Sequence, residues 1–131
     1  MKKELQNKLK EKYPSLFNQS NLPNTRSLMC YGCAIGDGWY DIFDKMCEKI
    51  IEVDTNKQVS FSQVKEKFGY LRVYADSGDI KREKVKIIQE IINQTEGDSA
   101  TVCESCGKPG EQRRGEWIKV LCDECLKKEK K

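Results

Sequence analysis

The strongest periodic pattern in the chain lies between residues 37 and 53, where apolar side chains recur every three or four positions. They are Trp39, Ile42, Phe43, Met46, Cys47, Ile50 and Ile51. This spacing predicts an amphipathic helix over 37–53, with Asp37 placed to cap it. A second stripe predicts another helix that begins near residue 80 and ends at Gly97. Its members are Ile80, Lys84, Ile87, Ile88, Ile91 and Ile92.

Two segments between these helices have the composition of a β-hairpin. Residues 58–64 and 70–75 are rich in Val, Phe, Tyr and Leu, and residues 65–69 suit the connection between them. A short charged helix is predicted over 1–12, ended by Pro14. Together these elements predict an α+β fold, in which two amphipathic helices pack on a small antiparallel β-sheet. After it, two C-x₂-C pairs predict a C-terminal zinc ribbon with four cysteine ligands.

Length and charge limit the classes of protein that the chain can represent. Its 131 residues suit a small α+β body over 1–100, followed over 101–131 by a zinc ribbon and a charged tail. The longest weakly polar run, 27–36, is about half of the roughly 20 residues that a membrane span needs. The first residues lack the apolar stretch of a secretory signal. We therefore expect a cytoplasmic protein without a membrane partner, and the net charge of +3 indicates no strong polyanion binder.

Four cysteines near the C-terminus have the spacing of a metal site. Two C-x₂-C pairs enclose fifteen residues, and the strand character of 117–121 leads into the second pair. This spacing is typical of structural zinc. Four thiolates leave no open coordination position, and the chain has no histidine to act as a base near neutral pH. We therefore expect one structural zinc ion and no catalysis at Cys103, Cys106, Cys122 and Cys125.

The pair Cys30 and Cys33 has three open interpretations. Both can be reduced thiols packed under a loop, since a chain without an export signal keeps its cysteines reduced. A second metal site would need further ligands, for which Cys47 and Asp37 are nearby in the sequence. A redox dithiol is the third interpretation, although the surrounding sequence lacks a thioredoxin-like context.

Short loops that combine glycine, aromatic and charged residues are candidate binding surfaces. The turn at 36–39 and the hairpin at 65–72 have this composition, as does the segment at 113–117, whose arginines and tryptophan suit phosphates and bases. In the alternative, Trp39 anchors a helix in the core and the hairpin charges are solvated. The candidates for partner binding are Asp37, Trp39, Lys65, Lys67, Arg72, Arg113, Arg114 and Trp117.

An enzymatic alternative depends on one carboxylate and one lysine. Asp54, followed by Gln63 and Lys65 on a strand between two helices, is loosely similar to the restriction-endonuclease-like core, whose acidic residues hold Mg²⁺. Gln63 stands where that core has its second acid. A Mg²⁺-dependent nuclease is therefore the third hypothesis for the function.

Several short motifs lie at 13–17, 36–40, 63–72, 103–110, 117 and 121–125. Together they resemble a family of small uncharacterised bacterial and phage-borne proteins, and the resemblance covers nearly the whole chain. It implies an α+β body with a zinc-ribbon tail, and phage association implies an accessory protein that acts on a host or defence component. In relatives the last ligand is often histidine, so Cys125 is a departure, and only Cys33 of the first pair is typical.

The first hypothesis for the function follows from these observations. It is a non-enzymatic zinc-binding interaction protein whose partner is another protein, and the resemblance makes it a phage-encoded modulator or inhibitor. The second hypothesis is a nucleic-acid-binding regulator that uses the zinc ribbon together with basic residues of the first helix.

Overall fold

The computed structural model describes residues 1–129, so the last two residues of the expected charged tail lie outside the described part. The α+β class is confirmed. Residues 127–129 of that tail are exposed, as expected, and they are helical because they belong to the last helix. No helix within the described range is both long and apolar enough for a membrane crossing. The elements are α1 (Lys3–Lys12), β1 (Cys33–Ala34), α2 (Tyr40–Val53), β2 (Ser60–Lys67), β3 (Tyr70–Asp76), α3 (Arg82–Asp98), β4 (Glu111–Arg113), β5 (Lys119–Leu121) and α4 (Asp123–Glu129).

The two amphipathic helices form where the apolar stripes predict them, with differences at their ends. A 3₁₀ turn over Asp37–Trp39 precedes α2. Asp37 does not cap this helix, because its Oδ1 accepts the backbone N–H of Lys2 at 2.7 Å. The prediction that α3 ends at Gly97 is wrong: the helix continues to Asp98 and into a 3₁₀ turn over Ser99–Thr101. Gly97 keeps helical backbone there, since it does not adopt a positive φ.

The central sheet has three strands in the order β1-β2-β3. Strands β2 and β3 are antiparallel, as predicted, but β1 pairs parallel to β2 through Cys33 and Val64. The prediction of a purely antiparallel sheet is therefore wrong, because a two-residue strand is too short to show alternation in the sequence. The hairpin connection is also shorter than expected: only Phe68 and Gly69, with φ of 54° and 82°, lie between the strands.

The core lies between the helices and the sheet. The rings of Phe17, Phe43 and Phe61 form a cluster with centroids 5.5–6.3 Å apart. Helix α3 packs against both α2 and β3, and it contributes the buried side chains of Ile88 and Ile92. Each such burial stabilises the fold by about 1.5–3 kcal/mol. This core extends across residue 100, because Val120 of β5 belongs to it.

The C-terminal segment contacts the body through a close approach of two backbones. We call residues 103–107 the knuckle and residues 36–39 the socket. The Gly38 N–H of the socket donates to the Glu104 carbonyl at 2.8 Å. The indole N–H of Trp39, whose side chain is fully buried, donates to the Val102 carbonyl at 2.8 Å. The predicted boundary at residue 100 is thus crossed by hydrogen bonds as well as by shared core packing.

Glycine is required in the socket by this approach. A Cβ at Gly38 would overlap the carbonyl oxygen of Cys103 and lie 2.6 Å and 2.7 Å from the backbone nitrogens of Gly107 and Cys106. A Cβ at Gly36 would overlap the carbonyl oxygen of Glu104. These atoms belong to the backbone, so they cannot yield as a flexible side chain would. The Gly-Asp-Gly-Trp motif is therefore the part of the body that contacts the knuckle.

Two glycine-to-alanine substitutions test this role. Gly38→Ala is expected to lower the free energy of unfolding by about 3 kcal/mol, because the added carbon meets backbone on three sides. The matched control is Gly97→Ala, which has nothing within 4 Å of the new carbon. It is expected to raise stability by about 0.4–1 kcal/mol. Urea unfolding measures both, and equal effects at the two positions would refute the close approach.

Candidate metal centre

Four cysteine side chains from two parts of the C-terminal segment converge on one point. Cys103 and Cys106 come from the knuckle, Cys122 follows β5, and Cys125 lies in the first turn of α4. Their sulfur atoms all lie within 4.8 Å of one another. The Sγ atoms of Cys106 and Cys122 are 3.6 Å apart, and neighbouring sulfurs of a tetrahedral zinc site are about 3.8 Å apart, given Zn–S distances near 2.3 Å. The cluster can hold a metal ion, and its size is compatible with zinc.

The backbone of the knuckle sets the direction of its two sulfurs. The Gly107 N–H donates to the Cys103 carbonyl at 2.9 Å, which closes the turn, and Gly107 has a φ of 85° that glycine adopts without cost. The Glu104 N–H donates to the Val120 carbonyl at 3.0 Å and so joins the knuckle to β5. Because β5 leads directly into Cys122, this bond brings the two cysteine pairs together.

Polar groups around the Cys103 sulfur favour the thiolate form that binds metals. Burial opposes ionisation of the Cys103 thiol, but the backbone N–H groups of Cys122, Cys106 and Ser105 outweigh it and lower its pKa to about 6. The Cys125 N–H also points at the Cys122 sulfur, at 3.4 Å. The thiol of Cys125, by contrast, has its pKa raised to about 12 by its hydrogen bond with Cys122 and by burial, and the pKa of Cys106 is raised as well. Since thiolate is the ligand form, Cys103 is the sulfur best prepared for a cation, and the bound ion itself would ionise the others.

The arrangement is that of a closed site. Cys103, Cys122 and Cys125 are buried, and Cys106 is exposed at the rim. Coordination by four sulfurs completes a tetrahedral shell and leaves no position for a reactive water. The apolar residues that pack against the cysteines are Leu121 and Leu126. Four cysteine ligands in such an arrangement are typical of structural zinc sites.

Within the described residues, no second metal site forms around Cys30 and Cys33. Among residues 1–129, the four C-terminal cysteines form the single group of three or more metal-ligating side chains. Burial raises the pKa of the Cys33 thiol to about 12 and that of Cys47 well above its usual value. A redox dithiol needs a lowered thiol pKa, so the geometry favours a thiol packed in the core for Cys33, with Cys30 exposed beside it.

Alkylation of the zinc-loaded protein tests this difference between the two cysteines. At pH 8, iodoacetamide is expected to modify Cys30 well before Cys33 or Cys47, because thiolate formation at the buried positions is suppressed. Peptide mass spectrometry after timed quenching measures the order. Equal reaction of Cys30 and Cys33 would support the redox interpretation instead.

Several candidates for partner binding are engaged within the chain. Trp39 is buried and so offers no surface to a partner. Arg113 donates to the Leu121 carbonyl at 3.1 Å and pairs with Asp123 at 2.7 Å. Arg72 lies over the Tyr70 ring, 5.5 Å from its centroid. These three side chains therefore have roles inside the folded chain. Because Arg113 and Arg72 are engaged in this way, fewer basic groups are free to bind a nucleic acid.

Other candidates, which the sequence places on two separate loops, meet on one face of the molecule. Lys67 from the hairpin and Trp117 from the loop between β4 and β5 line the same groove. Phe68, at the hairpin tip, lines it as well and was not among the predicted site residues. The sequence does contain a signal for Phe68. A two-residue hairpin turn that ends in glycine favours asparagine at its first position, and this chain has an aromatic residue there. Arg114 and Lys65 lie elsewhere, Arg114 in an adjoining cavity and Lys65 over the Tyr74 ring.

A polar cavity of about 550 Å³ lies beside the knuckle. Three of its carboxylates, from Glu66, Glu104 and Glu129, surround Lys119, whose Nζ lies 2.7 Å from Glu129. Burial, and then the charge of Glu66, raise the pKa of Glu104 to about 7. Internal ion pairing is sufficient to explain this arrangement.

The carboxylate of the nuclease hypothesis has a structural role. Asp54 follows α2, is 1% exposed, and accepts the backbone N–H groups of Gln58 and Val59 at 3.0 and 2.8 Å. Both of its oxygens therefore hold the loop that leads into β2. Within residues 1–129, Asp54 belongs to no group of three or more metal-ligating side chains.

Asp54→Ala is accordingly expected to destabilise the fold. The change leaves one buried donor, at Val59, and one partly buried donor, at Gln58, without an acceptor, which costs about 1–3 kcal/mol. The control Asp41→Ala, on the exposed side of α2, is expected to change stability by less than about 0.5 kcal/mol. Urea unfolding of both variants provides the measurement, and a neutral Asp54→Ala would contradict the loop-holding role.

The chain matches no protein-family model, and no curated protein or solved structure was found to be similar to it. Its class is therefore defined by its own fold and site. It is an α+β protein whose C-terminal segment carries a four-cysteine cluster able to hold a metal ion.

Proposed function

We propose that the chain is a non-enzymatic zinc-binding interaction protein, in which one zinc ion organises a surface that binds another protein. The observation that carries this proposal is the position of the cysteine cluster. Its knuckle is seated on the socket of the body, and its other cysteines follow a strand whose Val120 lies in the main core. A metal ion bound here would therefore stabilise the contact between the C-terminal segment and the body.

The small size of the C-terminal segment supports a structural ion. Apart from its cysteines, its own apolar cluster contains only Leu121 and Leu126. Two leucines supply roughly 3–6 kcal/mol at full burial, too little to order a segment of this length. Zinc bound by thiolates contributes about 10–16 kcal/mol in comparable sites. Soft thiolate ligands in a reducing compartment favour zinc among the common divalent ions.

The donor set also supports a non-enzymatic role. Four sulfurs leave no open coordination position, and histidine is absent from the sequence. Asp54, the carboxylate of the nuclease hypothesis, is occupied by two backbone donors. An interaction protein needs none of these groups, since it requires only a rigid surface.

The resemblance to small bacterial and phage-borne proteins supplies the biological part of the proposal. It supports an accessory protein that modulates or inhibits a host or defence component. Partner capture tests this part: protein with zinc is expected to retain a bacterial protein that the same bait loses after chelation. A bait that retains the same proteins with and without zinc would contradict a metal-organised binding surface.

Metal content and two exposed cysteines test the zinc site itself. We expect close to one mole of zinc per mole of chain by atomic spectrometry. Cys106→Ser removes a rim ligand and is expected to weaken zinc retention in a chelator competition by at least about tenfold. Cys30→Ser is the matched control, because Cys30 is also exposed but lies outside the cluster, and it is expected to bind zinc as the wild type does. Zinc-free wild-type protein, or equal loss in both variants, would refute the site.

A further inference from the structure

Two exposed aromatic side chains from distant parts of the sequence line one groove. Phe68 at the tip of the β2–β3 hairpin is 64% exposed, and Trp117 in the loop between β4 and β5 is 77% exposed. The groove between them has a volume of about 500 Å³, and Ile118 contributes to its wall. Its lining exposes more apolar than polar surface. We call it the aromatic groove.

The backbone conformation at Phe68 indicates that an aromatic side chain at this position does not stabilise the fold. Its φ of 54° is a left-handed conformation, which is uncommon for a bulky side chain and favoured by asparagine or glycine. Its side chain gains little burial in return. Within the chain, the Phe68 ring has the ammonium group of Lys67 over it, 5.7 Å from its centroid, which is a weak contact at an exposed site. A left-handed backbone with so little burial in return is typical of residues kept for contacts with another molecule.

Contacts between the hairpin and the C-terminal segment hold the two walls in register. The Gln112 side chain donates to the Phe68 carbonyl at 3.2 Å. Gly69 lies directly under Ile118, since a Cβ there would come 3.1 Å from the Ile118 methyl group. The groove is therefore a preorganised feature of the folded chain, and a ligand need not order its walls on binding.

We propose that the aromatic groove is the docking site for a segment of another protein that inserts an aromatic or leucine side chain and carries little net charge. This inference rests on the proposed function and specifies its partner. Exposed Trp and Phe side chains that flank a preformed cleft are the anchors on which protein interfaces concentrate their binding energy.

The charges around the groove select a protein over a nucleic acid. Glu66 and Glu116 balance Lys67 and Lys119 along its lining. Lys119 is itself paired with Glu129 at 2.7 Å. A single-stranded nucleic acid would need a continuous basic track beside the aromatic rings. With Lys119 already paired, Lys67 stands against two glutamates, so the lining offers no such track and suits a peptide segment that carries little net charge.

A displayed library of random peptides, panned against the zinc-loaded protein, supplies a probe for the groove. We expect the selected peptides to share an aromatic or leucine anchor and to carry few charges. With the best peptide labelled for fluorescence anisotropy, Trp117→Ala is expected to weaken binding by about tenfold or more. Tyr31→Ala is the matched control, since Tyr31 is 66% exposed but lies outside the groove, and it is expected to leave binding unchanged.

Phe68→Asn separates a binding role from a structural one. Asparagine suits the left-handed turn, so the thermal midpoint is expected to rise while peptide binding falls by about tenfold. Phe68→Tyr keeps the ring and is expected to retain binding within about twofold. A variant that loses binding only because it unfolds would lower the midpoint instead, and that result would overturn the assignment of Phe68.

Three results would overturn the groove as a protein-docking site. These are the selection of no apolar peptide, peptide binding that Trp117→Ala leaves intact, and binding of single-stranded oligothymidylate that Trp117→Ala abolishes. Zinc analysis of the same samples keeps the two proposals separate. Zinc-free protein that still binds peptides through Trp117 would refute the proposed function, whereas zinc-loaded protein with binding insensitive to Trp117 would refute the groove alone.

Discussion

The close contact between the socket and the knuckle is the constraint on which the rest of the molecule depends. Gly36 and Gly38 allow two backbones to meet at hydrogen-bonding distance, and Trp39 is buried behind them with its indole N–H bonded to the Val102 carbonyl. Through this contact the cysteine cluster is joined to the body as well as to its own segment. The loop that carries Trp117 is held beside the hairpin tip by a separate contact, in which the Gln112 side chain donates to the Phe68 carbonyl.

The sequence was a good guide to the longer elements and a poor one to their ends. Helix α2 and the β2–β3 hairpin were predicted because their apolar positions repeat with a clear period. Strand β1 was missed, since two residues carry no periodicity, and it changes the sheet from antiparallel to mixed. The end predicted for α3 at Gly97 was wrong because an isolated glycine can either end a helix or lie within one, and the sequence alone does not distinguish the two cases.

For the candidate site, local spacing and tertiary contacts differ in what they reveal. The convergence of Cys103, Cys106, Cys122 and Cys125 was predictable, because the spacing of the two pairs reflects the geometry of a metal shell. The burial of Trp39 was foreseen as one alternative, because this residue lies on the apolar stripe of its helix. Its hydrogen bond to Val102 and the meeting of Lys67 with Trp117 were not predictable, since each needs the position of a residue fifty or more places away. The role of the two socket glycines likewise became visible only with the knuckle seated on them.

Native-state hydrogen exchange with and without a zinc chelator tests the central claim most directly, because it follows individual backbone amides. If one ion holds the knuckle on the socket, chelation should remove protection from the amides of Gly38, Glu104 and Gly107 while the middle of α3 stays protected. Protection of Gly38 and Glu104 that is the same with and without the metal would contradict the claim, since the contact would then form without an ion.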